Sequence, residues 1–199
     1  MVEVRESGAC TLTLAGGQTL KATTDGVPAP LPVPDPWTVQ FPPNWGAPTE
    51  TTFETLQPWT ESADEGIKFF SGTARYKKEL EIPAGLLGSN RRLYLDLGEV
   101  RDIAEVYLNG TSLGILWRKP FEVEISQAAK PGKNLLEIEI VNMWINRLTG
   151  DQLLPPDKRF LRTNELPRKD IGGDETWHIE PAGLLGPVRL IPASVVRAS

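Results

Sequence analysis

One cysteine, Cys10, and one histidine, His178, are all that the 199 residues supply of either type. A single thiol excludes an internal disulfide, a cysteine zinc site and a dithiol redox pair. A single imidazole excludes a multi-histidine metal centre. His178 sits in "DETWHIEP", and no G-x-S-x-G turn exists to partner it, so it reads as a surface or capping residue and not as a triad member. Basic excess is also missing. Lys and Arg number 21 against 26 Asp and Glu, the net charge is −5, and nucleic acid is therefore not an expected partner. No apolar run reaches the roughly 18 residues of a membrane-spanning helix. The opening "MVEVRESGAC" lacks the apolar core of a signal peptide. The expectation is a piece of a parent protein that is itself secreted or periplasmic.

Turn formers are abundant, with eighteen Pro and eighteen Gly. The stretch 26–43, "GVPAPLPVPDPWTVQFPP", holds many of the prolines and is incompatible with a helix or a central strand. It reads as an extended arm carrying one short edge strand at "WTVQF". The domain expectation is an N-terminal strand and proline-rich arm over 1–45, packed on a sandwich over 46–199. "CTLTL" reads as a short strand, and "GIKFFSGTARYKKELEI" (66–82) as one long strand with a bulge near Ser71. Strict alternation follows. Leu93, Leu95 and Leu97 share a face, as do Val106 and Leu108, then Phe121, Val123 and Ile125, then Leu136, Ile138 and Ile140. Acids occupy the opposite face in the last two runs, the pattern of half-buried antiparallel strands. Asn109-Gly110 between two such runs signals a tight hairpin. "KPGKN" is another turn, "GPVRLIP" a final strand, and "IPAGLLG" has room for one turn of helix. No longer segment shows helical periodicity. The expected fold is an all-β antiparallel sandwich.

Chemistry points to sugars before catalysis. Six Trp are many for this length. Aromatic faces stack on sugar rings, while Asn, Asp and Arg read hydroxyls. In "NMWINRLTGD", continued alternation puts Asn142, Trp144 and Asn146 on the core side, with Met143, Ile145 and Arg147 opposite. Two readings stand side by side. Trp144, Asn146, Arg147 and Asp151 form one wall of a ligand site, with Trp117 and Trp177 as further stacking candidates. Alternatively, Arg147 pairs with Asp151 and the segment is a structural corner. Hydrolysis by paired carboxylates would draw on the loop acids Asp64, Glu65, Asp151 and Asp174, whose turn and capping roles compete.

Several stretches carry a likeness in order: "FFSGTARYKKELEIP", then "LYLDLGEVRDIAEVYLNGTSLGILWRKPFEVEIS", then "PGKNLLEIEIVNMW". Together they resemble the sugar-binding domain of family 2 glycoside hydrolases. "WTESADEGIKFFSGTARY", "NMWINRLTGDQLLP" and "GLLGPVRL" are similar to the C-terminal β-sandwich of bacterial enzymes like family 106 α-L-rhamnosidases. The resemblance runs from about Pro36 to Pro192. It implies a galactose-binding-like jelly roll whose catalytic acids lie on a separate barrel, for which this chain has no room. The expected function is a non-catalytic carbohydrate-binding module of a polysaccharide-degrading glycosidase. Its ligand would be plant or cell-wall polysaccharide, and its partner the catalytic domain of the parent protein. The alternative is a structural accessory domain with no ligand, marked by an exposed apolar patch. Such folds often hold a structural calcium, for which Asp25, Asp64 and Asp102 are the loop acids available.

Overall fold

The computed structural model describes residues 1–161 and 178–198. Fifteen strands run in chain order: β1 (Val2–Val4), β2 (Gly8–Thr13), β3 (Thr19–Thr24), β4 (Leu31–Pro32), β5 (Trp37–Gln40), β6 (Glu50–Phe53), β7 (Thr73–Ile82) and β8 (Arg91–Asp96), followed by β9 (Glu99–Arg101), β10 (Ile103–Leu108), β11 (Thr111–Leu116), β12 (Glu122–Glu124), β13 (Gly132–Val141), β14 (Gly183–Gly186) and β15 (Arg189–Val196). Among the described residues two short α-helices, α1 (Glu65–Lys68) and α2 (Ile145–Gln152), interrupt them.

The architecture is an antiparallel β-sandwich. One sheet has the order β11-β10-β13-β7-β5-β6, and the other runs β1-β15-β8-β12 with β4 also on β15. Between them lie the alternating residues read from the sequence. Leu93, Leu95, Leu97, Val106, Leu108, Leu136, Ile138 and Ile140 are fully buried. Burial of a Leu- or Ile-sized side chain contributes about 1.5–3 kcal/mol. An aromatic cluster closes one end of the core. Trp59 donates its indole N–H to the Tyr76 hydroxyl at 2.6 Å, and Phe70 and Phe41 stack edge-on against Trp59. Burial pushes the Tyr76 phenol up, which keeps it neutral and able to bond.

Two turns are tied to one another. Asn109 and Gly110 both adopt positive φ, at 52° and 79°, and bring Leu108 opposite Thr111. Asn109 donates through Nδ2 to the Asn134 Oδ1 at 2.8 Å, and its own Oδ1 accepts from Leu135 N–H at 3.0 Å. Asn134 in turn donates to the Lys130 and Gly132 carbonyls. The Leu-Asn-Gly and Gly-x-Asn motifs are thus one hydrogen-bonded clamp between hairpin and turn.

Three expectations are corrected. The "WTVQF" strand is not an edge: β5 lies inside its sheet, between β7 and β6. The long strand begins only at Thr73, because Asp64 caps α1 by accepting from the Gly66 and Ile67 N–H groups. The alternation past Val141 stops, and Ile145–Gln152 is helical.

Close backbone approach explains Gly98. At φ 67° it bridges Gly186, and a Cβ there would overlap the Gly186 carbonyl. At Gly110 the same addition meets open space. Gly110→Ala is therefore expected to cost about 1–2 kcal/mol of left-handed backbone strain. Gly98→Ala is expected to lose about 3 kcal/mol or more, since overpacking adds to the strain. Urea unfolding of the two variants checks the order.

Candidate functional site

The segment after β13 turns on Asn142. Its side chain accepts from Gly72 N–H at 2.9 Å and donates to the Phe70 carbonyl at 3.0 Å, beside a backbone bond from Asn142 N–H to the Gly72 carbonyl at 3.4 Å. Trp144 then starts α2 as its N-cap residue. This helix buries a polar face. Asn146, Arg147, Thr149, Gly150 and Asp151 are buried, while Leu153 beyond its end is exposed. Residues four apart share a helix face, so Asn146 stands over Gly150 and Arg147 over Asp151.

Most of these buried polar groups are hydrogen-bonded within the chain, while Arg147 Nε and Asp151 Oδ1 have only their ion-pair contact with each other. Asn146 forms a two-way clamp with the Glu180 backbone, donating to its carbonyl and accepting from its N–H, both at 2.8 Å. Arg147 Nε lies 3.4 Å from Asp151 Oδ1, with both side chains about 3% exposed. The guanidinium covers the Phe160 ring at 4.5 Å and reaches the Trp45 carbonyl at 3.4 Å. The second Asp151 oxygen accepts from Leu161 N–H at 2.7 Å. Burial pushes the Arg147 guanidinium below its ordinary pKa, and the Asp151 charge opposes that shift. Ser71 joins the parts: its hydroxyl donates to the Met143 carbonyl and accepts from Arg147 N–H, both at 2.9 Å, and its carbonyl accepts from the Trp45 indole at 2.6 Å.

This geometry makes Asn146, Arg147 and Asp151 the inside of a corner. Trp144 is brought beside them in sequence, but its ring lies outside, 56% exposed and edge-on to Trp45 at 6.2 Å. Trp117 is separate from that cluster. It is 68% exposed at the end of β11, with the Arg118 guanidinium 5.7 Å from its ring centre. A shallow groove of about 320 Å³ runs along 115–120 and includes Trp117, Arg118 and Lys119. Trp177 lies outside the described residues, as does Asp174. Ser71, Trp45 and Phe160 were not legible as members of this cluster. Their roles come from contacts across 72 to 102 residues of chain, or from a ring stacked under Arg147.

The calcium acids do not assemble. Asp64 is spent on the α1 cap, and Asp102 Oδ2 accepts from Met143 N–H at 3.2 Å. Asp25 follows the β3 strand end and is exposed. Among the described residues no group of three or more His, Cys, Asp or Glu has a metal-holding arrangement. His178 pairs with Glu180 at 3.1 Å on the surface.

No protein-family model matches the chain. The chain is 43% identical over 141 residues, 71% of its length, to a protein of Formosa agariphila that bears the name "Putative beta-glucuronidase". It spans only 12% of that protein. Among solved structures, the rhamnosidase from Novosphingobium sp. PP1Y matches 96% of the chain at TM-score 0.72 and 31% identity, through 21% of its own length. A β-D-glucuronidase from Dictyoglomus thermophilum matches 84% at TM-score 0.57 and 18% identity, a likeness of fold alone. The chain is thus similar to a small part of much longer glycoside hydrolases.

Breaking the Arg147–Asp151 pair strands a buried charge. Asp151→Leu and Arg147→Met are each expected to cost about 3–5 kcal/mol. Arg147→Met combined with Asp151→Leu is expected to cost well under the sum, because no charge is then left unpaired. A double-mutant cycle by chemical denaturation reads the coupling, and strict additivity contradicts the buried-pair account.

Proposed function

We propose that this chain serves as a non-catalytic accessory domain, galactose-binding-like in design, within a larger glycoside hydrolase that is secreted or periplasmic. The observation that carries this reading is coverage: nearly the whole chain matches about a fifth of the Novosphingobium rhamnosidase. The chemistry of the loops supports it. Asp151 is buried against Arg147, and Asp64, though exposed, uses Oδ1 to cap a helix, so each has a structural role in the described fold. Paired acids for glycoside hydrolysis need a cleft between them.

Within that role, stabilising the enzyme outranks binding a sugar. The polar side chains of "NMWINRLTGD" face inward, where they hold the corner together. A sugar-binding role is the second reading, and one observation favours it: Trp117 presents an exposed ring beside Arg118 and Lys119 in a shallow groove.

The isolated chain is expected to release no product from aryl α-L-rhamnosides or aryl β-D-glucuronides above the buffer rate. It is also expected to migrate unretarded in affinity gels containing galactan, arabinan, xylan or rhamnogalacturonan. Turnover that disappears on changing Glu65 or Asp151 would sink the non-catalytic reading. Retardation lost in Trp117→Ala, with the fold intact, would make the sugar-binding reading the better one.

A further inference from the structure

We infer that the apolar end of the outer face of the six-stranded sheet is a docking face for the catalytic part of a glycosidase polypeptide. This rests on the accessory-domain reading and adds to it which surface is covered. The register carries the argument. In β10 and β13, Ala104, Val106, Leu108, Leu136, Ile138 and Ile140 point into the core, so their alternates point out. Ile103 pairs with Val141 on that outer face, and Leu116 stands opposite Ala104, so Trp117 follows at the level of Ile103. Met143 and Trp144 continue the band beyond Val141. All five side chains are exposed, from 36% at Val141 to 68% at Trp117.

The rest of that face is mostly charged, with Leu135 exposed opposite Glu79 and Ile115 exposed opposite Glu105. Arg75 pairs with Glu137 and Glu139, Lys77 with Glu137, and Lys133 with Glu79. A charged face that becomes apolar at one end is the pattern of a surface covered in part. The band is also held in place. Asp102 accepts from Met143 N–H, the Ser71 hydroxyl donates to the Met143 carbonyl, and the Trp144 ring rests on Trp45. Fixed apolar groups lose little freedom on docking.

The occupant is protein rather than sugar. Ile103, Val141 and Met143 offer no side-chain hydrogen bonds, and a sugar platform needs polar groups at its side. Those beside Met143 and Trp144, on Asn142, Asn146, Arg147 and Asp151, are turned inward, and only Trp117 has exposed polar neighbours, Arg118 and Lys119. The relatives supply the occupant: their matching segment is 12% and 21% of a longer chain, which leaves a large remainder to cover this face. Arg118 and Lys119 beside Trp117 suit an apolar surface on the occupant rimmed by carboxylates.

Hydroxyl-radical footprinting tests this, because tryptophan and methionine are oxidised readily where solvent reaches them. Trp117, Met143 and Trp144 are the probes, and fully buried Trp37 and Trp59 are the internal controls. The chain alone is compared with the longer glycosidase polypeptide that contains it. The expected result is rapid oxidation of the three probes in the isolated chain and a severalfold fall in all three in the longer polypeptide. If they stay reactive there while another face of the domain is shielded, the docking face is wrong and the accessory role stands. If nothing in the domain is shielded, the accessory role itself fails. Shielding of Trp117 by soluble polygalacturonate or galactan, with none in the longer polypeptide, overturns the inference in favour of a sugar platform.

Discussion

The pairing of β7 with β13 is the constraint on which the rest of the molecule depends. Ten residues of each strand stand opposite one another, from Thr73 with Val141 to Ile82 with Gly132. Side chains alternate with a period of two, so a slip of one position would send Leu136, Ile138 and Ile140 into water and Glu137 and Glu139 into the core. The same pairing sets the outer face, including the ion pairs of Arg75 and Lys77. Its end sets the corner: where the ladder finishes at Thr73 and Val141, Asn142 holds Gly72 and Phe70 with its own amide and frees the chain to turn.

The corner solves a second problem with an unusual choice of residues. A helix beside a sandwich is normally held by an apolar stripe. Here α2 presents Asn146, Arg147, Thr149 and Asp151 inward, and their contacts span the loop at Trp45, the segment at Phe160 and Leu161, and the Glu180 backbone. Gly150 lets the helix sit close against Phe69, since a Cβ there would crowd that ring's own Cβ. The result joins distant loops through directional bonds. A polar interior of this kind is costly when incomplete, which is why almost every member is partnered.

That choice explains what the sequence concealed. Strands β8, β10 and β13 were legible because each buries one apolar face against polar neighbours. The hairpin at Asn109-Gly110 was legible because few residues accept two positive φ values in succession. Helix α2 was hidden because its buried face is polar, and periodicity of apolar residues is the signal by which helices are read. Trp144 was sensed as important, but alternation placed it on the core side, and the helix turns it outward.

The sequence by itself determined an all-β sandwich, its core residues, its main turns and its likeness to domains of glycoside hydrolases. The fold, core and turns follow from local alternation and turn chemistry, which act over two to four residues, and the likeness rests on an ordered set of motifs. Only the tertiary structure decided that β5 is an interior strand, that Arg147 and Asp151 face inward, and that Ile103, Val141, Met143, Trp144 and Trp117 form one apolar band. Each of those facts depends on partners far apart along the chain, and pairing across such distances leaves no mark on the order of neighbouring residues.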